Sequence, residues 1–112
     1  MKNVTVLSLL LLASLLETGG DAMVRIGIRT HSFGPRLVWW IAAAAVLFAY
    51  GWVVNSSDWD FGRLLGVYVV FFFVIAQILS WVVFGQKPGT PVLLGGALIV
   101  AGGAVITLWR VQ

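Results

Sequence analysis

Two acidic side chains, Glu17 and Asp21, lie inside a long apolar stretch near the start of the chain. Hydrocarbon disfavours the charged form of a carboxyl group, so such a group holds a proton until a cation takes its place. We therefore predict that Glu17 binds protons and a cationic substrate in turn. The alternative is a structural role, in which a protonated Glu17 makes one hydrogen bond to another helix.

The polar residues around Glu17 follow a four-residue spacing, which puts Asp21 and then Arg25 on the same helix face. Arg25 can extend toward the headgroups, so we expect Asp21 to pair with it and to leave Glu17 as the deeper, unpaired acid. Asp21 as a second ligand for the cation is the alternative. Gly19 and Gly20 lie beside the acids and allow another helix or a substrate close to the backbone.

The composition of the chain indicates that lipid is its solvent. Of 112 residues, 61% are hydrophobic and 10% are charged, and the mean hydropathy is +1.03. A soluble domain carries about 25% charged residues, so these charges are too few to cover a water-facing surface. We predict a single membrane domain over residues 1–112, in contact with the lipid bilayer and located as a multi-pass protein in the cell (inner) membrane.

Other functional classes find no support in the sequence. The net charge of +3 comes from basic residues scattered at segment ends, so no nucleic-acid partner is expected. Cysteine is absent, and there is no Ser-His-Asp set, phosphate loop or zinc-ligand spacing. We expect neither enzymatic activity nor a cofactor or metal ion.

Four apolar stretches are long enough, or nearly so, to span a bilayer, which takes about 20 residues. They cover about 4–24, 37–54, 64–84 and 91–109. Backbone in hydrocarbon must satisfy its own hydrogen bonds, so the predicted fold is all-α, an integral membrane bundle of four transmembrane helices. A cleaved secretory signal is the alternative for the first stretch; we favour a retained helix because apolar character resumes at Ala22.

The basic residues are nearly balanced between the two sides of the membrane that four spans would create. Three lie on the side of the N-terminus and four on the other side. This balance fits a small protein with few charges, and it also fits dual topology, in which copies insert both ways and pair antiparallel. The two groups are Lys2, Arg63 and Arg110, and Arg25, Arg29, Arg36 and Lys87.

The fourth span repeats a Gly-Gly pair at a seven-residue interval, first at Gly95 and Gly96 and then at Gly102 and Gly103. Seven residues make nearly two helical turns, so Gly95 and Gly102 share one face. Small residues at this spacing favour close helix packing in membranes. The packing partner is either another helix of the same copy or a second copy.

Several motifs resemble a known family. The segments LLETGG (15–20) and FGQKPGTPVLLGGALIVAGGAVI (84–106) are similar to the small multidrug resistance transporters of the drug/metabolite transporter superfamily. The segments DFGRLLGVYVV (60–70) and WVVFGQKP (81–88) resemble the related YnfA-like small membrane proteins. The resemblance covers nearly the whole chain.

This resemblance implies a dimer, often antiparallel, in which a glutamate in the first helix of each copy binds protons and cationic substrate in alternation. Glu17 matches that glutamate. Gly95 and Gly102 match a glycine heptad in the fourth helix, which implies a dimer contact. Tyr68 matches a position where the multidrug members have an aromatic residue facing substrate.

Two departures narrow the substrate that the resemblance implies. The third span lacks the Trp-x-Gly-x-Gly spacing of the drug exporters, and Phe71, Phe72 and Phe73 replace small residues, which would narrow a cavity. Asp21 is an additional acid in the first span. We therefore expect a smaller cation rather than a broad range of aromatic drugs.

Our interpretation is a small transmembrane transporter that works as a dimer and exports a cationic small molecule in exchange for protons. Its binding residues are Glu17, Tyr68 and Asp21, and its dimer contacts are Gly95 and Gly102. The dimer is a homodimer or a heterodimer with a similar small protein. Two alternatives stay open: a non-transporting subunit of a heteromeric membrane complex, and a subunit of a flippase for polyprenyl-phosphate sugars.

Overall fold

The computed structural model describes residues 2–109, and nearly all of them lie in four α-helices. The helices are α1 (Asn3–Arg29), α2 (Phe33–Val54), α3 (Phe61–Phe84) and α4 (Thr90–Leu108). Each is long and apolar enough to cross a membrane, and no strand occurs among the described residues. The predicted all-α fold with four transmembrane helices is confirmed. Arg110, which belongs to the charge count, lies outside the described residues.

The helices extend beyond the predicted apolar spans, most clearly between α1 and α2. The segment between the first two predicted spans, residues 25–36, is helical except for residues 30–32. Hydropathy marks only the apolar part of a helix, whereas backbone hydrogen bonding continues through the polar ends. Pro35 falls in the first turn of α2, where its missing N–H removes no helical hydrogen bond.

The contacts divide the chain into two compact units, Met1–Ser57 and Asp58–Gln112. The first unit holds α1 packed on α2, and the second holds α3 packed on α4. We call them the first hairpin and the second hairpin, and each is described by itself.

α1 and α2 pack along two stripes of residues with alternating spacings of three and four, the pattern of left-handed helix pairs. Most of the α1 members are buried. A methyl group on Gly20 would come within 2.6 Å of Leu47, and one on Gly27 within 2.6 Å of Trp40, so the helices approach closely at both glycines. We call this contact the α1–α2 seam. By spacing, its α1 members are Val6, Leu10, Ala13, Glu17, Gly20, Val24 and Gly27, and its α2 members are Trp40, Ala43, Leu47, Tyr50 and Val54.

The side chain of Arg36 from α2 caps the carbonyl groups at the C-terminal end of α1. Its Nε donates to the carbonyl oxygens of Gly27 (3.1 Å) and Thr30 (3.0 Å), and its second terminal nitrogen donates to Thr30 O at 2.7 Å. The last carbonyls of a helix have no partner within the helix, and a cation there also faces the negative end of the helix dipole. One side chain therefore ties the end of α1 to the start of α2.

Replacing Arg36 by glutamine is expected to destabilise the first hairpin by about 2 kcal/mol, because hydrogen bonds from a charged donor are lost. Unfolding in sodium dodecyl sulfate, followed by helicity, measures the change. The matched control is Arg29→Gln, which removes an exposed charge from the same end of α1 and should change stability by less than about 0.5 kcal/mol. Equal effects of the two substitutions would contradict the capping role.

The second hairpin turns at Gly85, where α3 ends. Gly85 has a φ of 66°, in the left-handed region that glycine adopts without strain. Its N–H donates to Trp81 O at 3.0 Å, and the N–H of Gln86 donates to Ser80 O at 3.0 Å, so two of the last carbonyls of α3 are satisfied. α4 begins at Thr90, with a proline in its first turn.

The glycines of α4 fall on two different faces. Gly96 lies against the ring of Phe73 on α3, and Gly103 lies against Val70 on the same helix. At Gly95 and Gly102, no atom of the described residues comes within 4 Å of the place where a side chain would begin. Packing inside the second hairpin therefore uses one glycine of each pair and leaves the other open.

Near each connection between helices, a basic residue lies close to a tryptophan ring. The pairs are Arg36 with Trp40 (5.7 Å), Arg63 with Trp59 (3.8 Å) and Lys87 with Trp81 (5.5 Å). Tryptophan rings and long basic side chains are favoured where a helix leaves the hydrocarbon. These pairs therefore mark the ends of the spans and fit helices embedded in a bilayer.

Candidate proton and cation site

Glu17 lies near the middle of α1, about 21 Å from Asn3 and about 18 Å from Arg29 by helical rise. Its side chain is half-buried, and its position belongs to the α1–α2 seam. A carboxylate at this depth is costly unless polar groups or a cation are near. The prediction that Glu17 is unpaired is wrong, because the residue has a polar or electrostatic partner in the structure.

Tyr50 on α2 is the residue that the packing register places opposite Glu17. The contact of Gly20 with Leu47 fixes the register. Because the two helices are antiparallel, Glu17, three residues before Gly20 on α1, is paired with Tyr50, three residues after Leu47 on α2. The phenol of Tyr50 is half-buried. It interacts electrostatically with the Glu17 carboxyl group and, less strongly, with that of Asp21. The first hairpin thus places both acids within electrostatic range of one phenol.

Asp21 and Arg25 do not share the α1–α2 seam with Glu17, since both side chains are exposed. Each step of four residues turns about 40° more than one full helical turn, so residues spaced by four drift around the helix. The seam instead follows alternating steps of three and four. The predicted polar stripe therefore starts in the seam at Glu17 and leaves it at Asp21. The pairing of Asp21 with Arg25 stays a prediction.

The neighbouring hydroxyl groups of α1 bond within their own helix. Ser14 Oγ donates to Leu11 O at 2.7 Å, and Thr18 Oγ1 donates to Ser14 O at 2.7 Å. Both side chains are buried, and their donors are engaged. The hydroxyl groups of Ser14 and Thr18 are therefore committed to carbonyl groups of α1.

The two glycines beside the acids differ in their surroundings. Leu47 packs directly against Gly20, which leaves no space for a side chain there. At Gly19, no atom of the described chain lies within 4 Å of the place where a side chain would begin. The backbone next to Glu17 is therefore approachable on the side of Gly19.

Tyr68 lies in the second hairpin, so the structure gives its surroundings there. The side chain is buried, with 5% of its surface exposed, and its ring centroid is 6.2 Å from that of Phe72 at an interplanar angle of 35°. Phe73 fills the space over Gly96. The substrate-facing role of Tyr68 stays a prediction. Phe73 places a large ring against Gly96, where a small residue would leave open space.

Sequence reasoning missed Tyr50, although a signal for it exists. On α2, the residues Trp40, Ala43, Leu47, Tyr50 and Val54 follow alternating steps of three and four. That spacing matches the stripe on α1 that contains Glu17. Pairing the two stripes in antiparallel register points to a tyrosine opposite the acid.

Comparisons with known proteins place the chain among small membrane proteins. A UPF0060 membrane protein of Nocardia farcinica is 40% identical over 97 residues, covering 85% of this chain and 84% of that protein. One of Frankia casuarinae is 37% identical over 107 residues, covering 93% of each chain. One of Clostridium perfringens is 29% identical over 108 residues, covering 95% of each. No family model and no solved structure matches the chain.

Proposed function

The chain belongs to the UPF0060 family of membrane proteins, the YnfA-like family that its motifs resemble, and from that premise we propose that it is a small proton-coupled transporter. It exports a cationic small molecule across the cell membrane as a dimer and is related to the small multidrug resistance transporters. The names of the relatives state no activity, so the proposal rests on the chemistry of the first hairpin.

The observation that carries the proposal is the position of Glu17. Its carboxyl group lies near the middle of a helix long enough to span a bilayer, half-buried in the α1–α2 seam. Charged groups at such depth in membrane proteins usually lie on ion or substrate pathways, because their desolvation is otherwise uncompensated. The open backbone at Gly19 offers a side from which a solute could approach.

In the proposed cycle, the Glu17 carboxyl group holds either a proton or the cation. An ionised carboxylate in the membrane is stabilised by a positive charge, so cation entry favours loss of the proton and protonation favours release of the cation. Because one charge satisfies one carboxylate, both forms of the site are close to neutral when they cross the membrane. The driving force for export is then the proton gradient.

The cation is expected to be small. Phe73 packs on Gly96 inside the second hairpin, and the ring of Tyr68 is buried beside Phe72. Within the second hairpin, these rings occupy space that small residues would leave open. We therefore propose a compact organic cation, with Asp21 as an auxiliary acid and with Tyr68 as a further binding residue on the ground of the family resemblance alone.

The proposed dimer uses the open glycines of α4. Gly95 and Gly102 share a face that the packing inside the second hairpin does not use, and small residues at this spacing let helices of two copies approach. The near balance of basic residues between the two sides of the membrane supports antiparallel copies.

Replacing Gly102 by leucine is expected to shift the protein from dimer to monomer in mild detergent, because the side chain would hold the second copy away. Light scattering coupled to size exclusion measures the mass. The α3–α4 packing should persist, since Gly102 has open space around it within the described residues, and unchanged helicity checks this. A dimer of unaltered stability would mean that this face is not the contact.

The experiment that tests the function is cation flux in vesicles that contain the purified protein alone. An imposed proton gradient should drive tetraethylammonium or guanidinium uptake against its own gradient. A protein that transports only after copurifying with a different small membrane protein would instead be one half of a heteromeric pair. A response to isoprenyl phosphates without any cation flux would indicate a flippase subunit.

A further inference from the structure

The turn that joins α1 to α2 is positively charged. Arg29 is the last residue of α1, and Arg36 lies in the first turn of α2. The nearer of the two acids in the first hairpin is Asp21, about 12 Å before Arg29 by helical rise. Residues 22–57 contain no aspartate or glutamate. We call residues 29–36 the basic turn, because its two arginines have no carboxylate close to them in the hairpin.

The charge of the basic turn comes from side chains rather than from helix ends. The carbonyl end of α1 and the N–H end of α2 meet there, so their opposite partial charges largely offset each other. Arg36 donates to the carbonyl oxygens of Gly27 and Thr30, and a carbonyl group carries no net charge. The cap on α1 therefore leaves the positive charge of Arg36 uncompensated.

Both guanidinium groups keep donors for a further partner. Arg29 is exposed and makes no hydrogen bond or ion pair with the described residues. Arg36 uses Nε and one terminal nitrogen for the cap, whereas the other terminal nitrogen, Nη1, donates to no group of the described chain. Thr30 follows Arg29 directly, so its bonds to Arg36 hold the two arginines at the same end of the hairpin. The planar donors of a guanidinium group suit the oxygen atoms of a phosphate.

Exposed apolar side chains lie beside these charges. Ile28 precedes Arg29 and is 59% exposed, and Phe33 begins α2 and is 73% exposed. The ring of Trp40 lies 5.7 Å from the guanidinium group of Arg36. Hydrogen-bond donors next to exposed apolar side chains match the level of the bilayer where headgroups meet acyl chains. A lipid presents both kinds of group in one molecule, whereas a free anion would leave the apolar side chains uncovered.

We propose that the basic turn binds the headgroup of an anionic phospholipid. Arg29 and Arg36 donate to its phosphate oxygens, and Ile28 and Phe33 contact its acyl chains. A zwitterionic lipid carries its own cation close to the phosphate, so the net positive charge of the turn selects a lipid of net negative charge. The proposal concerns the first hairpin alone and does not rest on the proposed function.

Native mass spectrometry of the purified protein in dodecyl maltoside tests the proposal. The probes are phosphatidylglycerol and phosphatidylcholine with identical acyl chains. We expect phosphatidylglycerol to bind more tightly, by about fivefold for each arginine of the turn, and added sodium chloride to weaken this preference. Arg29→Gln should lower the affinity for phosphatidylglycerol about fivefold and leave that for phosphatidylcholine unchanged. Arg29→Lys keeps the charge and should retain most of the preference.

The controls separate this contact from a general attraction between charges. Lys2→Gln removes an exposed charge from the other end of α1 and should leave the tightest phosphatidylglycerol in place. Arg29→Gln is a cleaner variant than a substitution of Arg36, which would also remove the cap on α1. Equal affinity for the two lipids, or equal losses in Lys2→Gln and Arg29→Gln, would overturn the proposal. Displacement of the lipid by inorganic phosphate, but not by sodium chloride of the same ionic strength, would indicate a site for a free anion and would also overturn it.

The lipid preference and the proposed transport can fail separately. Selective binding of phosphatidylglycerol by a protein that moves no cation would uphold the role of the basic turn and refute the proposed function. Proton-coupled flux by a protein with equal affinity for both lipids would uphold the function and refute the role of the turn.

Discussion

Replacing Glu17 by glutamine is expected to reduce proton-driven cation uptake to the level of empty vesicles. Glutamine has nearly the same size and keeps a hydrogen-bonding side chain, but it cannot ionise, so it can neither release a proton to an incoming cation nor stabilise that cation in hydrocarbon. Membrane insertion and dimer formation should be unchanged, because the substitution adds no bulk to the α1–α2 seam. The measurement is uptake of tetraethylammonium and guanidinium under an imposed proton gradient.

Two further substitutions sharpen that result. Glu17→Asp keeps the carboxyl group but shortens its reach by one methylene, so transport should fall and not vanish. Asp21→Asn removes the exposed acid of the pair and should retain coupled uptake if Asp21 is auxiliary. Full transport by Glu17→Gln would show that the carboxyl group is not the exchanging group.

Replacing Gly20 by leucine is expected to give the largest loss of stability in the first hairpin, about 3 kcal/mol. Even a methyl group there would come within 2.6 Å of Leu47 and 3.4 Å of Val46, so the helices must separate or α1 must shift. Either movement would also pull Glu17 from its place opposite Tyr50. Unfolding in sodium dodecyl sulfate measures the stability, and vesicle uptake measures the consequence for transport.

Gly19→Leu is the matched control for this prediction. Both substitutions replace glycine by leucine in the same turn, and each gains about 1 kcal/mol of helix propensity, so the difference between them isolates the packing at Gly20. At Gly19 there is open space within the described residues. A loss of stability as large at Gly19 as at Gly20 would contradict the register of the α1–α2 seam.

The helices could be predicted from the sequence because lipid imposes a simple rule. Backbone groups in hydrocarbon must bond within a helix, so length and apolar composition alone identify the spans. The ends were less predictable: α1 continues to Arg29 and α2 begins at Phe33, since polar residues do not stop a helix that leaves the membrane. The cap provided by Arg36 depends on a tertiary contact that hydropathy does not report.

The candidate site could be predicted in part. Glu17 stands out as an acid in an apolar stretch, but its surroundings depend on how two helices align. The four-residue spacing indicated one stripe from Glu17 to Arg25, whereas the helices pack at steps of three and four, which keeps Glu17 in the α1–α2 seam and leaves Asp21 exposed. Tyr50 emerged only once the glycine contacts had fixed the register.

The glycines of α4 show the same limit. Their spacing indicates close packing, and the sequence does not distinguish the two members of each pair. In the structure, Gly96 and Gly103 pack against α3, whereas the space around Gly95 and Gly102 is open within the described residues. The mass measurement on Gly102→Leu tests whether a second copy packs on that face.

The most direct test of the account is to observe Glu17 itself while a cation binds. Protein labelled with 13C-glutamate in lipid gives one side-chain carboxyl signal, because the sequence has one glutamate. At a pH where that signal is the protonated form, saturating tetraethylammonium or guanidinium is expected to convert it to the ionised form and to release protons to the medium. A cation that the vesicles transport while the Glu17 signal stays unchanged would contradict the exchange of a proton for a cation at this residue.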